Sequence, residues 1–152
     1  MRQPGHISVD CASSAAAIPA ARSIRTWVRA ALDSDHADAE ICVRIVDEAE
    51  MRDLNARYRS RDCTTNVLSF PAELPPAVDV PLLGDIVVCA PVVAREAAEQ
   101  HKPARAHWAH MLVHATLHLL GHDHERAREA ARMEALETRI LATLKFPDPY
   151  RM

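Results

Sequence analysis

Histidine is the residue whose number and spacing in this sequence could support chemistry. Seven of the nine histidines lie between positions 101 and 124 of a 152-residue chain. Neutral imidazole is a common ligand of divalent metals and a general acid or base near neutral pH. The segment HWAHMLVHATLHLLGHDH begins at His107 and places histidines at intervals of three and four residues as far as His118. Residues at that spacing share one side of an α-helix, so this segment is a candidate metal site.

The other side chains of this helix predict that the histidines are buried. Trp, Met, Leu and Val occupy positions 108, 111–113, 117, 119 and 120, so the helix is apolar on almost all sides. Such a helix is normally buried. A buried imidazole costs free energy unless its nitrogens have partners. A shared metal ion would supply such a partner.

Helix geometry limits which histidines can bind one ion. Side chains four residues apart lie one turn apart and can reach the same metal. A third residue a further turn along lies ~12 Å from the first. His110, His114 and His118 therefore cannot all ligate one ion, and the third ligand must come from beyond the helix.

The residues after the helix supply that ligand. We expect Gly121 to end the helix and let the chain reverse. We predict His114, His118 and His124 as the metal ligands, with His122 as the alternative for the third position. Three nitrogen ligands without cysteine are typical of catalytic zinc, which keeps one position open for water. The predicted cofactor is one Zn²⁺ per chain, which would lower the pKa of that water towards 7.

Periodicity elsewhere predicts the elements that hold this helix. Strands are predicted at residues 6–10, 41–46, 66–70 and 86–89, and helices after Pro19, after Asp47, from Pro91, over about 103–120 and over about 125–144. Asp47 is expected to cap the second helix, with Glu50 as its capping-box partner. The predicted fold is a single α/β domain over residues 1–152. Its mixed sheet of about four strands packs with about five helices, and the zinc site lies on the central histidine-rich helix.

Composition excludes several classes of protein. The net charge is −3, so nucleic-acid binding through bulk positive charge is excluded and would need a local basic patch. The longest segment without Asp, Glu, Lys or Arg spans 17 residues, 106–122, and contains five histidines, so it is not a membrane span. The four cysteines are scattered, which favours free thiols. No secretion signal is predicted, and we expect a cytoplasmic protein with no membrane partner.

One alternative is a peptidase-like zinc hydrolase. The spacing His114-x-x-x-His118-x-x-Gly121-x-x-His124 is that of the metzincin proteases. Those enzymes carry a glutamate as general base directly after the first histidine, where this chain has Ala115. Peptide hydrolysis of that type would lack its proton acceptor here.

Other motifs match a known family more closely. They are Asn55-x-x-Tyr58-Arg59, TNVLSFP over residues 65–71, GDIV over 84–87, the histidine segment, and DPY over 148–150. On these segments, which extend from about residue 40 to the C-terminus, the chain resembles the YbeY family of bacterial endoribonucleases. Ala115 and His122 depart from the family pattern, which more often has glycine and tyrosine at these positions. Neither is one of the three predicted ligands, although His122 keeps the third position open.

This resemblance implies a zinc-dependent, single-strand-specific endoribonuclease that acts in 16S rRNA 3′-end maturation and ribosome quality control. It implies that His114, His118 and His124 bind zinc and that Arg59 is important for activity. The implied partners are single-stranded RNA or 16S rRNA, a small-subunit ribosomal protein and a ribosome-associated GTPase. A non-enzymatic ribosome assembly factor with structural zinc is a further alternative. The sequence does not define the oligomeric state.

Four arginines, at positions 52, 57, 59 and 61, cluster near the end of the second predicted helix. Given an RNA substrate, the planar guanidinium suits a phosphate. We expect Arg59 to stabilise charge that develops on the scissile phosphate while its neighbours hold the strand. The alternative is a solvated helix end, where cations complement the helix dipole.

The general base is left open by the sequence. The alternatives are the zinc-bound hydroxide, His110, His122 and Asp85. Asp85 could also orient a ligand imidazole or serve only at a strand end. Whether water or the 2′-hydroxyl of RNA attacks the phosphate also stays open.

Overall fold

The computed structural model describes residues 5–75, 81–122 and 126–150. Within these ranges the chain forms four strands, five α-helices and one short 3₁₀ turn, Ser34–His36. The elements are β1 (Ile7–Cys11), α1 (Ala21–Ala31), β2 (Glu40–Val46), α2 (Glu48–Arg59), β3 (Val67–Pro71), β4 (Leu82–Cys89), α3 (Ala90–Glu99), α4 (Ala104–Leu119) and α5 (Ala127–Thr143). The predicted α/β fold is therefore confirmed.

The strands form one mixed sheet in the order β1-β2-β4-β3. β1, β2 and β4 are parallel, and Val43 of β2 pairs with Val9 and with Ile86. β3 runs antiparallel to β4 and lies at the edge of the sheet. All four described strands therefore belong to one sheet.

Apolar side chains of the sheet are buried on both of its faces. Along β4, Ile86 and Val88 belong to the larger core with α1, α4 and α5. Val87 and Cys89 belong to a smaller core with Met51 of α2. This alternation follows from the two-residue period of a strand. The sheet therefore separates α2 from the histidine-rich helix, α4.

Helix α4 lies at the centre of the larger core, as its composition predicts. It contacts α1, α3 and α5 as well as β3 and β4. Between His107 and Leu119 every side chain is buried except two, His114 and His118, which are half-buried. The helix therefore presents these two histidines at a boundary between the core and an open space.

The start of α2 departs from the predicted capping box. Asp47 is the residue before the helix, but its side chain caps no helical N–H. Its carboxylate instead accepts hydrogen bonds from Ser13 (2.5 Å) and Ser14 (3.3 Å). Glu50 pairs with Arg44 of β2 at 2.6 Å. The prediction was wrong because both carboxylates have tertiary partners, which a local motif does not reveal.

None of the helices in the described ranges is long and apolar enough to cross a membrane.

Candidate active site

His114 and His118 lie one turn apart on α4 and face a common cavity. Their ring centroids are 4.8 Å apart and their planes make an angle of 71°. Both residues line an open cavity of about 870 Å³. The third predicted ligand, His124, lies outside the described residues, and among the described ones no three His, Cys, Asp or Glu form a metal-binding group. The structure thus brings two of the three predicted ligands together.

The opposite wall of the cavity comes from the end of α2 and the segment that leads into β3. It includes Arg59, Arg61 and residues 63–69. None of the described residues that line the cavity is acidic. Arg59 and Arg61 make the described lining basic, although the whole chain carries a net charge of −3. A cavity of this charge favours an anionic ligand.

The two cavity arginines are held by a folded-back loop. Helix α2 ends at Arg59, and Ser60 adopts a left-handed conformation with φ of +56°. The carbonyl of buried Asn55 accepts a hydrogen bond from the backbone N–H of Arg61 at 3.3 Å. The side-chain amide of Asn55 donates to the carbonyl of Cys63 at 2.9 Å. The asparagine of the Asn55-x-x-Tyr58-Arg59 motif therefore shapes the loop that carries the arginines.

Arg52 and Arg57 point elsewhere. Arg57 forms an exposed ion pair with Asp53 at 2.9 Å, and Arg52 is also exposed on α2. Of the four clustered arginines, Arg59 and Arg61 are the two in the described cavity lining. The structure therefore narrows the candidates for phosphate binding to these two.

The edge strand β3 is joined to α4 beside the histidines. The hydroxyl of Ser69 donates to the carbonyl of Ala115 at 3.0 Å. Ala115 is fully buried. The position that holds the general base in metzincins therefore belongs to the core of this protein, and it is not part of the described cavity lining.

Behind the histidines lies a buried carboxylate, Glu137 of α5. Nδ1–H of His114 donates to its Oε1 at 2.5 Å, and Nε2–H of His110 donates to its Oε2 at 2.9 Å. The hydroxyl of Tyr150 also donates to Oε2. Burial by itself raises the pKa of Glu137, but these hydrogen bonds outweigh it and lower the pKa to about 2. Glu137 is therefore ionised at neutral pH.

These contacts fit a metal-binding role for His114. A histidine that ligates a metal usually donates its other ring N–H to a carboxylate or a carbonyl. Because Nδ1 of His114 faces Glu137, Nε2 is the nitrogen suited to a cation. With His118 one turn along the same cavity wall, the donor set present is compatible with zinc.

Sequence reasoning missed the carboxylates that pair with Nε2 of the deeply buried histidines, His107 and His110. Nε2 of His107 contacts Oε1 of Glu96 at 2.9 Å, and Nε2 of His110 contacts Oε2 of Glu137, also at 2.9 Å. One signal was available for Glu137: it lies on α5 four residues after Met133 and three before Ile140, within the apolar stripe. A single acidic residue in such a stripe indicates a buried carboxylate that is paired with another polar group.

Asp85, which the sequence left as a possible general base, is exposed on β4.

The turn after α4 has the predicted form. Gly121 has φ of +98°. Its N–H donates to the carbonyl of His118, and the N–H of His122 donates to the carbonyl of Leu117, each at 3.0 Å. This is the Schellman arrangement that ends many helices. His122 is exposed and lines the cavity. The other two side chains considered as general base, His110 and Asp85, are not part of the described lining.

An α/β domain that sets paired histidines opposite arginines around such a cavity has the features of a hydrolytic enzyme for phosphate esters. The model of the family described as endoribonuclease YbeY matches residues 9–145. The chain therefore belongs to the YbeY family of endoribonucleases. The predicted resemblance is confirmed, and with it the prediction that the protein is an enzyme of the hydrolytic nuclease class.

Individual relatives agree with this assignment. A protein of Cellvibrio japonicus named endoribonuclease YbeY is 59% identical over 145 residues, covering 95% of this chain and 82% of the relative. A protein of the same name from Halorhodospira halophila is 58% identical over 139 residues, covering 90% of each chain. The solution structure of a Thermotoga maritima protein matches with a TM-score of 0.59 at 22% identity, covering 96% of this chain and 99% of that one. At that identity the structural match shows the fold alone.

Proposed function

We propose that this protein is a zinc-dependent endoribonuclease that cleaves single-stranded RNA. The observation that carries the proposal is the described cavity lining, in which Arg59 and Arg61 face His114 and His118 without a carboxylate. RNA offers a chain of phosphates that such a cavity would attract. Membership of the YbeY family supports RNA as the substrate.

The proposed zinc ligands are His114, His118 and His124, with His122 as the alternative for the third. The contact between Glu137 and Nδ1 of His114 supports His114 as one of these ligands. When bound, the metal would act as a Lewis acid and would supply a water activated near neutral pH.

The protein's own groups would hold and orient the substrate. Arg59 ends α2, and the backbone N–H of Arg61 donates to the carbonyl of Asn55. Both arginines are therefore positioned by hydrogen-bonded main chain. Their guanidinium groups would bind phosphate oxygens and stabilise charge that develops on the scissile phosphate. The polar segment 64–66 lines the same wall and offers further hydrogen-bonding groups.

The cellular role follows from the family resemblance. We propose that the enzyme acts in the cytoplasm in 16S rRNA 3′-end maturation and ribosome quality control. Its partners would be 16S rRNA, a small-subunit ribosomal protein and a ribosome-associated GTPase. The peptidase alternative is not favoured, because Ala115 is buried where that mechanism needs a carboxylate beside the metal.

Arg59→Ala tests the proposed phosphate contact. We expect cleavage of a single-stranded RNA to fall roughly 10²–10³-fold, the usual cost of removing a group that stabilises developing charge. Zinc content should not change, since the arginine is not a ligand. The measurements are initial cleavage rates on single-stranded and duplex RNA, together with metal analysis of each protein.

Arg22→Ala is the matched control. Arg22 is exposed on α1, beside the opposite edge of the sheet from β3. Its removal should leave the cleavage rate unchanged. Loss of zinc in the Arg59 variant would instead assign that residue a structural role, and unchanged cleavage would contradict the phosphate contact.

A further inference from the structure

Glu137 is the fully buried carboxylate of the described chain, and its position on the apolar face of α5 is unusual. Around it on α5, Met133, Ile140 and Leu141 are buried in the hydrophobic core. A carboxyl group in such surroundings is retained only when its oxygens have hydrogen-bond partners. One of the partners of Glu137, His114, lines the cavity of the candidate active site.

The two carboxylate oxygens have different partners. Oε1 accepts the hydrogen bond from Nδ1 of His114, the half-buried residue at the cavity. Oε2 accepts hydrogen bonds from Nε2 of buried His110 and from the hydroxyl of Tyr150. Because two donors hold Oε2, the carboxylate cannot rotate away from His114 without breaking both bonds.

A carboxylate bound at Nδ1 selects one tautomer of neutral histidine. Hydrogen on Nδ1 leaves Nε2 as the unprotonated nitrogen, the form that coordinates a cation. The same bond restrains rotation of the imidazole ring. Binding of a cation would then not require the ring to change tautomer or to be ordered first.

We propose that Glu137 is a positioning residue that holds His114 in the Nδ1–H tautomer and the ring orientation required to bind the active-site zinc. His110 and Tyr150 act behind it by holding the second carboxylate oxygen. Tyr150 comes from the segment after α5, so the C-terminal end of the described chain takes part in ordering the site. This inference rests on the zinc site proposed above.

The test is Glu137→Gln, with Glu134→Gln as the matched control. Glu134 is exposed on the same helix one turn earlier, so the control removes the same charge outside the core. Zn²⁺ affinity is measured by chelator competition, and Co²⁺ absorption reports the coordination. Nitrogen-15 NMR of the metal-free protein reports the tautomer of His114. This measurement is independent of both zinc content and activity.

We expect Glu137→Gln to weaken Zn²⁺ binding roughly 10–100-fold, the usual effect of losing such a partner of a ligating histidine. The Co²⁺ spectrum should change, and the metal-free variant should lose the pure Nδ1–H tautomer. Glu134→Gln should match the wild type in all three measurements. Unchanged affinity and tautomer in Glu137→Gln would overturn the proposal.

Tyr150→Phe keeps the inference testable if Glu137→Gln does not fold. It removes one hydroxyl from Oε2 and leaves the carboxylate in place. Zn²⁺ affinity should fall roughly two- to tenfold, as expected for one hydrogen bond, and an unchanged affinity would contradict the role of Oε2. Failure of the proposed zinc site would be recognised separately, because the wild type itself would then bind no Zn²⁺.

Discussion

At the residue scale, carboxylates explain how α4 keeps polar side chains inside an apolar core. Besides Glu137, Glu96 of α3 contacts Nε2 of His107 and accepts a hydrogen bond from the side chain of Asn66 at 3.1 Å. The side-chain oxygen of Asn66 accepts the N–H of Val67 at 2.7 Å. This asparagine of the TNVLSFP motif therefore fixes the start of β3 against α3, and its side chain has a structural role.

His107 predicts a pH dependence of folding. Burial, the largest effect, together with Lys102 and His110 lowers its pKa, and this outweighs Glu96, which raises it. The unfolded chain therefore binds a proton near pH 6.5 that the folded chain takes up only at lower pH. The contribution of His107 to the free energy of unfolding should be fully present above about pH 6.5. It should decline as the pH drops below this value, by up to about 1.4 kcal/mol per pH unit for one proton.

Urea unfolding of the metal-free protein between pH 7.5 and 5.5 checks this, with His107→Gln as the comparison. The variant keeps a polar group near Glu96 but cannot take up the proton. Its stability should depend less steeply on pH than that of the wild type. Parallel curves for the two proteins would show that His107 does not contribute.

At the scale of elements, the end of α4 decides where the chain after it goes. The Schellman turn at Gly121 directs His122 to the cavity instead of extending the helix. A Cβ at position 121 would meet nothing within 4 Å, so space is not the constraint. The constraint is the backbone, because a φ of +98° is unfavourable for residues with a side chain.

Gly121→Ala should therefore destabilise the protein by about 1–2 kcal/mol, the usual cost of positive φ for an L-residue. It should also weaken Zn²⁺ binding, since the third ligand is proposed to follow this turn. Gly121→Asn is the control, because asparagine tolerates positive φ better than alanine. Equal stability of the two variants in urea unfolding would count against this explanation.

At the scale of the whole molecule, one core joins the sheet, α1, α4 and α5. Met133, Ile140 and Leu141 attach α5 to that core. A chain of this length buries about 70% of its unfolded surface, which is enough for a stable fold without a metal. This arrangement counts against the alternative of a non-enzymatic assembly factor with structural zinc, because α5 is attached by apolar packing.

Removal of zinc with a chelator should therefore abolish cleavage and leave the far-ultraviolet circular dichroism unchanged. Zinc at a hundredfold excess over its Kd adds about 2.7 kcal/mol. The melting temperature should therefore fall by roughly 5–10 °C on removal. Added Zn²⁺ should restore both cleavage and melting temperature. Unfolding of the stripped chain, with no cleavage by the zinc-loaded protein, would instead support a non-enzymatic assembly factor.

The sequence by itself determined the features that depend on near neighbours in the chain. Hydrophobic periodicity predicted the helices and strands, the apolar surroundings predicted that α4 is buried, and Gly121 predicted its end. Each is set by interactions within a few residues, so local pattern is sufficient. The pair His114 and His118 follows from the same rule, since one helical turn joins them.

Only the tertiary structure decided which distant groups meet. The strand order, the partners of Asp47 and Glu50, the loop that Asn55 shapes, and the contacts of Glu96 and Glu137 all join separate elements. A buried polar group takes the partner that packing brings within hydrogen-bonding distance, and that choice depends on how helices and sheet are arranged in space. For this reason the pairing of His114 with His118 could be read from the sequence, whereas the contact between His114 and Glu137 could not.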